Sequence, residues 1–288
     1  MPISALGLLF LAAILHASYH LFYKRSLDKQ VFVWWLLLVS VVAYSPLLVT
    51  RPLSIPPLGW ACMLASSMAE IAYFISMGKA YQTGDLSVAY PLARGSAPLF
   101  ITLLAMLFLR EQLTALGLMG ILLIAGGLYL INTRSSGDLW KPLRQFFGNP
   151  LSRWALVTGF CISLYSTIDK MGIRYVPPFT YIYLVLLVAL ITFTPYILLS
   201  GKKASIAAEW RANKAGILVS GVAALLTYYL VLLALRISHV SYVGSVREMS
   251  VVFGAFLGST LLGEGYGRIR VLASALVFLG ILLIGVAG

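Results

Sequence analysis

Arg94, Arg247, Glu70 and Glu248 each sit inside a run of sequence that is otherwise apolar. A charge in hydrocarbon costs about 2.5–3.5 kcal/mol or more, so such groups face a protein interior or a water-filled cavity and are candidates for function. Lys79, Asp169 and Lys170 share that situation. Arg94 lies eight residues past Leu86, which is about 12 Å along a helix in a layer about 30 Å thick. That depth is too great for easy snorkelling. Arg247 holds the mirrored depth in the second half of the chain. Two guanidiniums converging on one cavity would suit a carboxylate, phosphate or phosphonate, which accept paired N–H donors. The competing role is structural: Arg94 pairs with Glu70 or Glu248 and holds the bundle together. Both can operate in turn if substrate displaces the carboxylate from the arginine. Glu248 follows Arg247 directly, about 100° round a helix, and so faces a neighbouring helix or the cavity edge when Arg247 faces the cavity.

A polar stripe at helical spacing marks the first run: His16, Tyr19, His20, Tyr23 and Lys24. His16, His20 and Glu70 are the candidate proton carriers of a coupled cycle, and a neutral imidazole bonded to a neighbour is the alternative for each histidine. His16 and His20 are four residues apart, a spacing open to a metal, but no acidic or thiol partner lies nearby in sequence. Neither a metal nor a cofactor is therefore expected. Tyr90-Pro91-Leu92-Ala93-Arg94, with Pro98, reads as a unit. Proline frees backbone carbonyls to line a cavity, and Tyr90 places a hydroxyl one turn before Arg94. The candidate substrate-binding set is thus Arg94, Arg247, Tyr90, Glu70, Glu248 and Tyr19. Gly254 and Gly258 form a close-packing GxxxG pattern, while Gly263, Gly265 and Gly267 read as a tight turn and not a nucleotide loop. No HExxH, GxSxG or Walker lysine motif is present, and no enzyme centre is expected.

The elements that must position these residues follow from composition. Of the 288 residues, 60% are hydrophobic and 10% charged, yet the formal net charge is +12. Soluble domains carry about 45–50% apolar and about 25% charged residues. With a mean hydropathy of +0.94 and a pI near 9.8, a soluble enzyme, a coiled coil and a nucleic-acid-binding domain are excluded. The basic excess belongs to loops near anionic headgroups. Apolar runs broken by charge, Pro and Gly give ten spans: Ile3–Tyr23, Val31–Val49, Leu58–Tyr81, Leu86–Leu109 and Thr114–Ile131, then Trp154–Ile173, Phe179–Leu199, Ala215–Leu235, Val240–Leu262 and Ile269–Val286. The first run lacks a basic segment before it and reads as a membrane helix, not a cleaved signal peptide. Cys62 and Cys161 lie in apolar runs and read as buried hydrophobes.

The polar stretch 134–153 reads as a linker between halves 1–133 and 154–288. An offset of 153 residues places Arg247 on Arg94, Glu264 on Glu111 and Gly280 on Gly127; an offset of 146 pairs Tyr165 with Tyr19 and Lys170 with Lys24. Five spans per half invert the second half relative to the first, and transporters built so place substrate near the midplane between the repeats. Thirteen Lys and Arg flank odd-numbered loops against five at even-numbered ones, which favours both termini outside.

The chain resembles the EamA-type branch of the drug/metabolite transporter superfamily along essentially its whole length. The resemblance rests on His16-Ala17-Ser18-Tyr19 leading to Lys24-Arg25-Ser26, on Ala89 to Gly95 with Pro98, on Arg110-Glu111-Gln112-Leu113-Thr114, and on Leu262-Gly263-Glu264. It implies an all-α polytopic membrane protein in which ten helices surround a central cavity and move solutes by alternating access. It also implies a multi-pass protein of a bacterial inner membrane, although several relatives place both termini inside. Glu111 and Glu264 would cap or pair at turns. Arg247-Glu248-Met249 departs from the proline usual in the ninth span of the family. The expected partners are a small anionic or zwitterionic solute and the lipid bilayer, with no nucleic acid, in a monomer or homodimer. A membrane-embedded enzyme acting on lipid headgroups and a non-transporting scaffold are the competing classes.

Overall fold

Only a helix satisfies every backbone donor and acceptor within one segment of chain in hydrocarbon, and every element described in this computed structural model is a helix. The described residues are 1–49, 54–82, 86–131, 150–253, 256 and 268–287. The helices among them are α1 (Ile3–Arg25), α2 (Lys29–Val49), α3 (Pro57–Gln82), α4 (Leu86–Phe108), α5 (Ala115–Ile131), α6 (Pro150–Gly172), α7 (Pro178–Leu199), α8 (Lys203–Ile237), α9 (Val240–Val246) and α10 (Arg268–Ala287). Five of them, α1, α2, α3, α7 and α8, are long and apolar enough to cross a membrane. Phe108, Leu199, Leu282 and Val286 are exposed, as side chains against acyl chains would be. Much of the linker, together with Gly254, Gly258, the Gly263–Gly267 turn and Glu264, lies outside the described residues.

Two expected spans differ from what forms. The eighth helix begins at Lys203, twelve residues before Ala215, and carries a non-helical Asn213 (φ −127°, ψ 22°) where two helices join across a kink. Its entry segment is too charged for an apolar-run criterion. It is helical because it packs: Trp35 donates to the Ile206 carbonyl at 3.0 Å and stacks near Trp210 at 4.6 Å. The ninth span is not one continuous helix. α9 stops at Val246, and the chain turns through Arg247 and Glu248: Arg247 N–H still reaches four residues back to Val243, but the N–H groups of Glu248, Ser250 and Val251 reach only three back, to Ser245, Arg247 and Glu248. Helical residues resume at Met249.

The packing pairs helices from opposite halves: α5 with α10, α3 with α6, α1 with α8, and α4 with α6. Close approach depends on glycine at one seam. A Cβ on Gly120 would meet the Gly280 carbonyl at 2.7 Å, and one on Gly127 would meet the Ala273 carbonyl at 2.7 Å. As residue number rises along α5 it falls along α10, so these two helices run antiparallel.

The connections gather at two ends. At the first end, Lys202 before α8 pairs with Asp28 before α2 at 2.7 Å, and Asp28 N–H donates to Glu209 at 2.9 Å. At the second end, Gly59 at the start of α3 packs on Val176 after α6, Lys170 donates to the carbonyls of Leu235 and Ser238 that close α8, and Glu111 accepts from the Val240 and Ser241 N–H groups that open α9. Glu111 thus caps a turn, on a helix of the other half.

Asp28 also caps α2, accepting from the N–H groups of Gln30 (2.9 Å) and Val31 (3.2 Å). Burial alone raises its carboxyl, but Lys202 and those N–H groups outweigh burial and hold it below the usual 3.8. A carboxyl depressed in the folded state stabilises fully above its unfolded value and loses that contribution as pH falls through the folded one. Asp28→Asn keeps a capping oxygen but loses the charge that pairs with Lys202, and is therefore expected to cost up to about 1 kcal/mol at neutral pH and nothing once the pH has fallen below the folded carboxyl's own value. Thermal unfolding in detergent across pH checks this, the two curves merging only at the acid end.

Candidate functional site

Side chains of both halves converge on a cavity of about 200 Å³, enough for one small metabolite or on the order of a dozen waters. His16, Tyr19 and His20 of α1 line it, with Glu70 of α3, Arg94 of α4, Tyr165 of α6, Tyr228 of α8 and Arg247 at the break after α9. The cavity extends to Lys29 and Gln30 at the start of α2 and to Gly78 late in α3, which places its mouth towards the first end. Of the eight residues that the sequence singles out, six line this wall (His16, Tyr19, His20, Glu70, Arg94 and Arg247), and Glu248 stands behind it with Arg94 and Arg247. The backbone of Tyr90 is helical, but its side chain lies outside what is described.

Glu248 is the hinge of the charge arrangement. Its side chain is 0% exposed, and both its oxygens accept from Arg94 Nη1, at 3.1 and 3.0 Å. Arg247 Nε stands 3.5 Å from Glu248 Oε1, and Arg247 Nη2 donates to the Tyr165 hydroxyl at 3.4 Å. One carboxylate therefore serves two guanidiniums, one from each half. The break after Val246 is what permits it, because it turns Glu248 towards α4 while Arg247 still reaches the cavity. Of the two carboxylates weighed for Arg94, Glu248 is its partner.

Arg94 Nη2 stands 3.4 Å from His16 Nε2. A guanidinium only donates, so Nε2 accepts, and the ring proton sits on Nδ1, 2.9 Å from the Tyr19 hydroxyl oxygen. The His16 and His20 rings lie 4.2 Å apart. Glu70 Oε2 is buried with no hydrogen-bond partner among the described residues, and the same holds for Arg247 Nε. Lys79 turns elsewhere, over the ring of Trp154 at 4.3 Å.

Three residues of the site carry little signal in the sequence. Tyr165 is noticeable only as the counterpart of Tyr19. Tyr228 sits beside Tyr229 in an apolar run and shows nothing. Asp169 is visible as a charge in a span, but its partners, Ser66, Tyr181 and Tyr228, come from three other helices and follow no spacing rule.

Helices long enough to cross a bilayer, apolar outer faces and charged groups gathered on an interior cavity define a multi-pass membrane protein of the transporter class. The chain belongs to the EamA-like transporter family, whose pattern matches residues 3–133 and again residues 152–286. Members of that family are membrane transporters of the drug/metabolite type, not enzymes. A solved crystal structure resembles the whole fold with a TM-score of 0.71, covering 99% of this chain and 98% of that one at 16% identity. No curated protein matches the chain.

Proposed function

We propose that the protein is a secondary carrier that moves a small anionic or zwitterionic metabolite by alternating access. The observation that carries this reading is a pair of buried atoms of ionisable side chains on one cavity wall that make no hydrogen bond among the described residues, Arg247 Nε and Glu70 Oε2. Leaving such groups unmet costs free energy. A solute with an acid group would meet Arg247, and one with a cationic group as well would meet Glu70. Arg94, Tyr19 and Tyr90 complete the proposed contacts, with Glu248 exchanging between arginine partners. The proton-coupling candidates His16, His20 and Glu70 line the same space.

Alternating access requires two halves that exchange roles, and we read them as inverted five-helix repeats forming ten crossings. The support is a pair of equivalent contacts. Adding 153 to Gly120 gives Ala273, and subtracting 153 from Gly280 gives Gly127, so the Gly120–Gly280 contact maps onto Ala273–Gly127. Equivalent contacts exchanged between antiparallel helices imply an axis perpendicular to both, hence one in the membrane plane. A second set agrees closely: Ser40 of α2 donates to Gly221 of α8, and Ser67 of α3 donates to Val185 of α7. We place the protein in a bacterial inner membrane, as a monomer or homodimer.

Reconstitution into liposomes tests the reading directly. Saturable flux or counterflow of at least one labelled solute from a panel of small acids and zwitterions is expected. If ligands stabilise the protein and none crosses, the scaffold or sensor reading replaces it. Covalent turnover of a lipid headgroup would instead establish an enzyme.

A further inference from the structure

The closed end of the cavity is held by one carboxylate. Asp169, 1% exposed, accepts from the Ser66 and Tyr181 hydroxyls on Oδ1 and from the Tyr228 hydroxyl on Oδ2. Those partners belong to α3, α7 and α8, so four helices meet on a single side chain of α6. All four lie in the second-end part of their helices: Asp169 and Tyr181 three residues from the ends of α6 and α7, Ser66 and Tyr228 nine residues from those of α3 and α8. Tyr228 also lines the cavity. The cluster is therefore the floor of a cavity whose mouth lies at the opposite end.

We propose that Asp169 is a proton-binding site that couples proton uptake to opening of the second end. Three hydroxyl donors and no ion pair among the described residues suit an acceptor-only carboxylate. A proton from water at the second end, bound on Oδ2, faces the Tyr228 O–H donor to donor. That bond survives only if Tyr228 stops donating and accepts instead, and it then loses its charge assistance. The α6–α8 clasp slackens, and the floor can part. Deprotonation restores three donors to one anion and shuts it.

The groups facing Asp169 favour this carboxylate as the one that cycles. From α3 come Cys62 and Glu70, from α7 Tyr181, from α8 Tyr228, and from the break after α9 Arg247. Lys170, next in sequence, is spent on the carbonyls closing α8. His16, by contrast, accepts from Arg94, and a proton on its Nε2 would break that contact instead of opening an end.

The proposal deepens the transport reading, and its test needs no solute, so either can fail alone. Cys62, buried one turn before Ser66 towards the second end, is the sole thiol once Cys161→Ala is made. Its maleimide labelling rate in liposomes, divided by the rate of the unfolded chain at the same pH, reports opening. Loss of one charge-assisted bond predicts about tenfold faster relative labelling near pH 5 than near pH 8. Asp169→Asn is expected to label at the fast rate at both pH values. PH-independent labelling of the parent protein, or a D169N variant that keeps the parent's pH response, overturns the assignment. Should D169N not fold, Ser66→Ala and Tyr228→Phe each remove one donor and should speed labelling near pH 8; unchanged rates in both overturn it equally.

Discussion

Arg94→Ala is expected to destabilise the protein by about 3–5 kcal/mol, the cost of stranding a buried charge by removing its partner. Glu248 is fully buried and takes both of its hydrogen bonds from Arg94, and Arg247 at 3.5 Å reaches only one of its oxygens. His16 loses its donor in the same step. Chemical unfolding in detergent measures the loss. The double variant Arg94→Met with Glu248→Met separates charge balance from function. Apolar residues of similar volume can replace a buried pair at little cost, so the double variant should recover most of the stability while flux stays lost. An R94A protein as stable as its parent would mean that Arg247 can neutralise Glu248 unaided. A double variant that restores flux would remove Arg94 from the transport cycle altogether.

That pairing shows where sequence reasoning reaches and where it stops. The depth of Arg94 and Arg247 is legible because charge is rare in these spans and helical rise converts residue number to distance. The stripe from His16 to Tyr23 is legible because helical periodicity puts it on one face. Which carboxylate Arg94 meets is not legible, since Glu248 reaches α4 only through a backbone turn that a run of Val, Ser and Gly does not announce. Asp169 illustrates the same boundary. Its isolation in an apolar run flags it, but the hydroxyls that satisfy it are ordinary Ser and Tyr residues from three distant segments. The entry of α8 fails for a different reason. Its helix rests on Trp35 and Trp210 meeting across the bundle, a tertiary contact that outweighs its charged composition. The glycines of α5 and α10 lie between these cases: their repeat spacing is visible in the chain, and their meaning appears only when each faces a backbone carbonyl of the other helix.

Arg247→Ala should behave in the opposite way from Arg94→Ala, weakening solute binding far more than it weakens the fold. Arg247 makes one long hydrogen bond to Tyr165, lies 5.6 Å from that ring, and shares Glu248 only at the margin. Removing it leaves Glu248 with both of its hydrogen bonds from Arg94 Nη1, so the folded charge balance holds. What disappears is the guanidinium on the cavity wall whose Nε makes no hydrogen bond among the described residues. Truncating one partner of a desolvated charge pair costs about 2–5 kcal/mol, which corresponds to a loss in affinity on the order of 30-fold to several thousand-fold. Calorimetric titration with whichever solute the flux panel identifies provides the measurement, with unfolding midpoints recorded alongside. Arg247→Lys sharpens the chemistry, because lysine keeps the charge and gives up the planar fork. Partial rescue by lysine points to a solute held mainly by charge; no rescue points to a carboxylate, phosphate or phosphonate gripped by two parallel N–H groups. Undiminished affinity in R247A would move the anion subsite away from the break in the ninth span.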